Sequence, residues 1–170
     1  LTAQLRSESP IRLAHEKINS FIKNGKELAK PLQFQLSNIM WEHCGVVKDG
    51  EKLQAGIGKL KDLKYLSREI GVRINSQSCD DLILSFDLEA SIISAEATIL
   101  SAIKREESRG AHHRKGYQVT NQDAFYNIHI KLINDDLDVS SEQSRPLTKE
   151  FSELILRTQK IRDFNGKLLE

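Results

Sequence analysis

The feature that most constrains this chain is one long helical pattern from Asp80 that runs without a break into a dense charged segment ending at Arg114. At about 1.5 Å per residue, a helix over residues 80–106 spans on the order of 40 Å, the width of a small domain, so other elements must pack along it. Placed at about 100° per residue, Leu82, Ile83, Leu84, Phe86, Leu88, Ile92, Ile93, Ala95, Ala97, Ile99, Leu100 and Ile103 cover well over half of its circumference. Only Asp87, Ser91, Ser94, Thr98 and Ser101 form a consistently polar strip. A helix that apolar belongs at the centre of a bundle. Glu89 and Glu96 interrupt the apolar arc on one face. An unpaired buried carboxylate costs several kcal/mol, so the two read as structural buried carboxylates that tie in basic side chains from neighbouring elements. A proton-handling role is the alternative.

The rest of the chain supplies what would surround that helix. Ser9-Pro10 reads as an N-cap with proline at the first helical position, followed by Ile11, Ala14, Ile18, Phe21 and Ile22 at helical spacing up to Asn24-Gly25. Pro31 starts a second helix with the stripe Leu32, Leu36, Ile39 and Met40, stopped by Gly45 just after Trp41. Val46-Val47-Lys48 is a short connection, and Asp49 is the N-cap of a third helix over residues 51–70. There Leu53, Ile57, Leu60, Leu63, Leu66 and Ile70 recur every three or four residues, while Lys52, Lys59, Lys61, Lys64 and Arg68 form a solvated face. Gly56 and Gly58 inside this helix cost about 1 kcal/mol each relative to alanine, a cost that close approach to a neighbouring backbone would offset.

Residues 71–78 read as a polar loop. Past Arg114, Tyr126, Ile128, Ile130 and Leu132 alternate with Asn127, His129 and Lys131, a strand pattern. Asn134-Asp135-Asp136 is a turn, and residues 137–139 are a short extended piece. Residues 140–144 read as loop, Pro146 blocks a helix there, and residues 151–161 form a short helix or an extended tail.

Composition narrows the function classes. A length of 170 residues fits one domain with a real core, and a start at Leu1 rather than Met is expected of a processed or excised piece. Twenty-five basic against twenty-four acidic residues leave a net charge of +1 with no basic arm, which argues against nucleic acid as a partner. Cys44 and Cys79 fit neither a disulfide scaffold nor a metal knuckle and read as buried thiols in a reducing compartment. No apolar run reaches the ~18 residues of a spanning helix. The expectation is a soluble, cytoplasmic chain, peripheral to a membrane at most through a partner.

Familiar catalytic motifs do not occur. Gly56-Ile57-Gly58 lies inside a helix with no preceding strand, and His43 beside Cys44 cannot form a nucleophile pair on a helix. His112 and His113 with a distant Cys or His are a metal-site alternative, but such pairs occur freely and no metal is expected. The unusual part is residues 104–114, which carry Lys104, Arg105, Arg109 and Arg114 with two glutamates, two histidines and Gly110 at the turn. On chemistry alone these are either cations answering the helix dipole or a set that docks a carboxylate or backbone carbonyls across an interface.

The segment REESRGAHHR, residues 105–114, closely resembles the REESRGAH-x-R signature of the flavoprotein subunit family of succinate dehydrogenase, fumarate reductase and L-aspartate oxidase. Upstream, LQFQLSNIMWEHCGVVKDGEKLQAGIGKL and FDLEASIISAEATILSAI resemble two further family blocks in the same order, with Glu89 and Glu96 on recurrent carboxylates. Lys48 stands where the family usually has Arg, Ala90 where it has Asn, and Gly116-Tyr117-Gln118 where it has Asp-Tyr-Pro. The resemblance covers about residues 30–130 and implies a mainly α fold. It is an up-down three-helix bundle, spectrin-repeat-like, with an additional N-terminal helix and a short extended or β C-terminal tail. Residues 1–120 would form the bundle and 121–170 the tail of the same structural unit.

The resemblance also implies that chemistry lies elsewhere. FAD and the substrate residues would belong to the FAD-binding and capping domains of the same polypeptide, which moves a hydride between flavin and a four-carbon dicarboxylate and passes electrons to an iron–sulfur subunit. This chain would hold no catalytic residue, cofactor or metal and would be inactive alone. Arg105, Glu107, Arg109, His112 and Arg114 are then the docking residues toward the flavin domain or a partner subunit. L-aspartate oxidase is the alternative parent, and a free-standing helical interaction module is the alternative from another class. Phe86-Asp87-Leu88-Glu89 and the SRGAH form favour the dehydrogenase.

Overall fold

A computed structural model describes residues 2–22, 25–72, 80–117, 126–145 and 148–166. In chain order its elements are α1 (Thr2–Phe21), α2 (Ala29–His43), β1 (Val47–Lys48), α3 (Gly50–Ser67), α4 (Asp80–Lys104), β2 (His113–Arg114), β3 (Tyr126–Ile133), β4 (Asp136–Gln143) and α5 (Lys149–Gly166). The fold is mainly α: α2, α3 and α4 pack on one another as a three-helix bundle, α1 adds to α4, and the β3–β4 hairpin also lies on α4.

α4 is the shared wall expected of it, but it buries one stripe rather than most of its circumference. Ser85, Leu88, Ile92, Ala95, Ile99 and Ala102 are buried, whereas Ile83 is 57% exposed. Against that stripe lie Leu32 and Leu36 of α2 and Leu53, Leu60 and Leu63 of α3. Each fully buried leucine contributes about 1.5–3 kcal/mol relative to an exposed one, which makes this seam the main source of stability. Phe21 meets Phe86 edge-to-face at 5.1 Å between ring centroids and fastens α1 to α4.

Several boundaries differ from the sequence expectation for local reasons. α1 begins at Thr2 and contains Pro10, because the preceding residues hold no glycine or second proline and continue the helix. The proline deletes one ladder bond without ending it. Pro31 falls within the first turn of α2, where N–H groups have no intrahelical partner, so the helix starts two residues ahead of it. Asp49 caps α3 as expected, accepting from the Glu51 N–H at 3.0 Å.

Beyond α4, Asn134 and Asp135 both have positive φ, which fits the two-residue loop that joins twisted antiparallel strands. β4 then pairs with β3 along its whole length, Ile133 opposite Asp136 and Tyr126 opposite Gln143. Residues 140–143, expected as loop, are strand. The expected loop at 73–78 and Pro146 lie outside the described residues, as does Cys79.

Gly56 and Gly58 behave differently. A Cβ at Gly56 would come within 2.8 Å of the His43 Cβ and 3.1 Å of Ile99 Cδ1, so this glycine lets α2 and α4 close on α3. A Cβ at Gly58 would meet nothing within 4 Å, which removes the packing reason expected for it. Gly25 serves a tighter crossing: its Cβ would lie 2.2 Å from the Gly71 N.

Candidate functional site

The connection expected at residues 46–48 is in fact the floor of the charged segment. β1 pairs in parallel with β2, Val47 opposite His113 and Lys48 opposite Arg114, and the Lys115 N–H donates to the Lys48 carbonyl at 2.8 Å. This pairing ties the start of α3 to the segment that follows α4. Lys115 adds an ion pair with Asp49 at 2.8 Å, which lowers the Asp49 carboxyl and raises the Lys115 ammonium.

Glu107 lies at the centre of the segment, with no exposed side-chain surface. Arg105 and Arg109 both hold it. Arg109 Nη2 lies 3.1 Å from Oε2 and its Nε 3.2 Å from both carboxylate oxygens, while Arg105 Nη1 grips Oε1. Burial alone would push the Glu107 carboxyl up, but the hydrogen bonds and charges of Arg109 and Arg105 outweigh it and hold the group below its ordinary value. Arg105 also donates from Nη2 to the Tyr126 carbonyl at 2.9 Å and lies over the Tyr126 ring at 4.8 Å, which anchors the first residue of β3.

Two tight turns complete the knot. Arg109 and His112 exchange backbone hydrogen bonds at 2.9 and 3.0 Å around Gly110-Ala111, with Gly110 at φ +57°. The Tyr117 N–H donates to the Arg114 carbonyl at 3.1 Å across a turn in which Gly116 takes φ +87°. Ser108 joins the turns: its Oγ accepts from the Arg114 N–H at 3.0 Å and donates to the Tyr117 carbonyl.

His112 Nε2–H donates to the Arg105 carbonyl at 3.2 Å, which fixes the tautomer. Burial, with the nearby Lys48, Arg105 and Arg114 charges, lowers its pKa despite that bond. Arg114 is 9% exposed, its guanidinium lies against Gly50, and its Nε and Nη1 have no hydrogen-bond partner among the described residues.

The expected docking residues Arg105, Glu107, Arg109, His112 and Arg114 are thus brought into one knot, with Glu107 inside as the residue that holds two arginines. Lys48, Ser108, Lys115 and Tyr126 belong to the same assembly and were not expected there. Lys48 and Ser108 carried a signal, each standing in a family block, and Tyr126 stood in the strand pattern; Lys115 carried none. Glu89 and Glu96 sit elsewhere on α4, paired with Lys17 of α1 and, at 3.8 Å, with Lys64 of α3. They tie neighbouring helices to α4, but Glu89 is 45% exposed and Glu96 16%, so full burial falls on Glu107 instead. Their place at the flank of the narrow buried stripe explains the difference.

Beside the knot a wide cleft of about 470 Å³ opens between the end of α4, β1 and the start of β3, lined by Lys48, Thr98, Ser101, Arg105, His112 and Asn127. Its chemistry is that of fixed cations around an open space. Cys44 is part-buried, and burial pushes its thiol up, so it is a weak nucleophile. Among the described residues no helix is long and apolar enough to cross a membrane.

Comparison with known proteins places this geometry. Residues 33–160 match the family model described as fumarate reductase flavoprotein C-term. An L-aspartate oxidase from Pyrococcus horikoshii is 35% identical over 82 residues, covering 48% of this chain and 13% of that protein. A succinate dehydrogenase flavoprotein subunit from Rickettsia conorii is 30% identical over 143 residues, covering 77% of this chain and 24% of that protein. The structure of E. coli quinol fumarate reductase has the same fold over 83% of this chain and 25% of that one, with a TM-score of 0.72 at 23% identity. The chain spans a quarter or less of the length of each of these relatives. With most of the bundle, the knot and three quarters of the residues inside the matched span, the chain belongs to the fumarate reductase flavoprotein C-terminal family.

Proposed function

We propose that this chain is the C-terminal helical domain of an FAD-dependent flavoprotein subunit of the succinate dehydrogenase and fumarate reductase kind, and that residues 105–114 join it to the rest of that polypeptide. In the parent, hydride passes between flavin and succinate or fumarate and electrons go on to an iron–sulfur subunit. The observation that carries the docking role is the knot itself. A buried carboxylate fixes two arginines where a helix end needs no such apparatus. Apolar side chains from the end of α2 to β1, which pairs with the knot's segment, are exposed, Trp41 at 82% and Val46 and Val47 at 73% and 64%, as at a surface that another domain covers.

Flavin nucleotides are held by backbone N–H groups at a glycine-rich strand-to-helix turn. The described residues do not fit that role, since Gly56 and Gly58 lie within α3 and the space over Gly56 is filled by His43 and Ile99. FAD therefore belongs to the remainder of the parent. Titrating FAD into the isolated chain and recording the visible spectrum tests this; no stoichiometric complex is expected, and tight one-to-one binding would overturn the assignment. The dehydrogenase is favoured over L-aspartate oxidase as the parent because the match to it runs over 77% of the chain rather than 48%.

A further inference from the structure

We propose that the cleft between the end of α4, β1 and the start of β3 seats one carboxylate side chain from the flavin-binding part of the parent polypeptide, gripped by Lys48 and Arg105. The inference rests on the reading of the chain as a flavoprotein domain and names the chemistry of its contact.

The local charges do not balance. Glu107 is the one carboxylate gripped by both Arg105 and Arg109, and Asp49 is taken by Lys115. Lys48 donates to the Gly45 carbonyl at 3.2 Å and has no carboxylate partner among the described residues. Arg114 stands behind them, buried, with two nitrogens lacking an acceptor. Buried cations are poorly screened, so their field reaches the cleft. Burial first, and then the charges of Lys48, Arg105 and Arg114, lower the His112 pKa, in keeping with cations gathered at the cleft.

The wall selects for a single negative charge. Thr98 and Ser101 spend their hydroxyl protons on the Ser94 and Ala97 carbonyls of their own helix, at 2.7 and 2.8 Å, so cations are left as the strong donors. α4 presents its C-terminal end here, whose partial negative charge opposes any anion and a phosphate dianion more than a single carboxylate. One carboxylate offsets the surplus without overshooting it. The relatives are at least four times as long as the part matched, which supplies a partner surface within one polypeptide.

Carbodiimide coupling of the full parent flavoprotein, followed by peptide mass spectrometry, reads the contact directly, because this reagent joins an amine to a carboxylate only when they touch. The expected result is a Lys48 cross-link to an Asp or Glu of the flavin-binding part, lost in Lys48→Gln and absent at the exposed Lys61 of α3. A flavin-loaded parent in which Lys48 stays unlinked, or links only to carboxylates of this domain or of another subunit, overturns the inference and leaves the domain reading intact. Quenching of the cross-link by inorganic phosphate at low millimolar concentration also overturns it, since the site would then hold a free anion. A parent that carries no flavin overturns the reading and the inference together.

Discussion

Glu107 accepts from Arg105 and Arg109 with none of its side chain in solvent, whereas the two arginines remain 21% and 36% exposed. Removing the carboxylate leaves two cations facing each other, and breaking a buried pair costs about 3–5 kcal/mol, less here because both guanidinia keep some water. Glu107→Ala is therefore expected to lower stability by roughly 2–3 kcal/mol in a urea melt; an unchanged midpoint would contradict the assignment.

Acid acts on the same knot. The Glu107 carboxyl lies below its ordinary value, so its stabilisation is full above the unfolded value of about 4.3 and is lost as pH falls through the lower folded value. His112 is also held low, so below about 6.5 the unfolded chain takes up the proton first and stability declines earlier. Thermal melts from neutral pH downward should show both stages, and His112→Gln should abolish the first only. A first stage that persists in this variant would assign it to another group.

At the scale of elements, what was legible is what a single segment determines. The long α4 helix, the Asp49 cap and the alternation of β3 each depend on local spacing and side-chain chemistry, and each is found, though α4 buries a narrower face than its apolar arc suggests. The pairing of β1 with β2 was not legible, because two-residue strands have no period and their partner lies across two helices. β4 was half legible: beyond Val139 its side chains are polar and exposed, so pairing with β3 rather than its own pattern makes it a strand. The residues of the knot were legible as a family signature, but not the division among them. Which carboxylate is buried follows from the fold of the loop around Glu107, not from its place in the sequence.

The two helical glycines show the same limit, and they offer a test. Gly56→Ala pushes a methyl into His43 and Ile99 and is expected to cost about 1–3 kcal/mol by overpacking. Gly58→Ala enters open space on a helix and is expected to stabilise by up to about 1 kcal/mol. Paired denaturant melts check the sign of each, and a stabilising Gly56→Ala would mean that α2 and α3 are not in contact there.

For the whole molecule, the bundle supplies rigidity and the end of α4 supplies contact. α4 carries both: its buried stripe fixes the three helices, and its C-terminal end leads into the arginine–glutamate knot, whose segment pairs with the exposed Val47. On the proposed docking role, the most distinctive residues of this chain would support a flavin site to which they contribute no reacting atom. Arg109 separates the two tasks, since Arg105 still pairs with Glu107 when it is removed. The most direct measurement is the flavin absorbance per polypeptide of the purified parent carrying Arg109→Ala. The expected result is a several-fold loss of flavin in a protein whose helical content by circular dichroism is unchanged; normal flavin content and intact assembly would contradict the docking role.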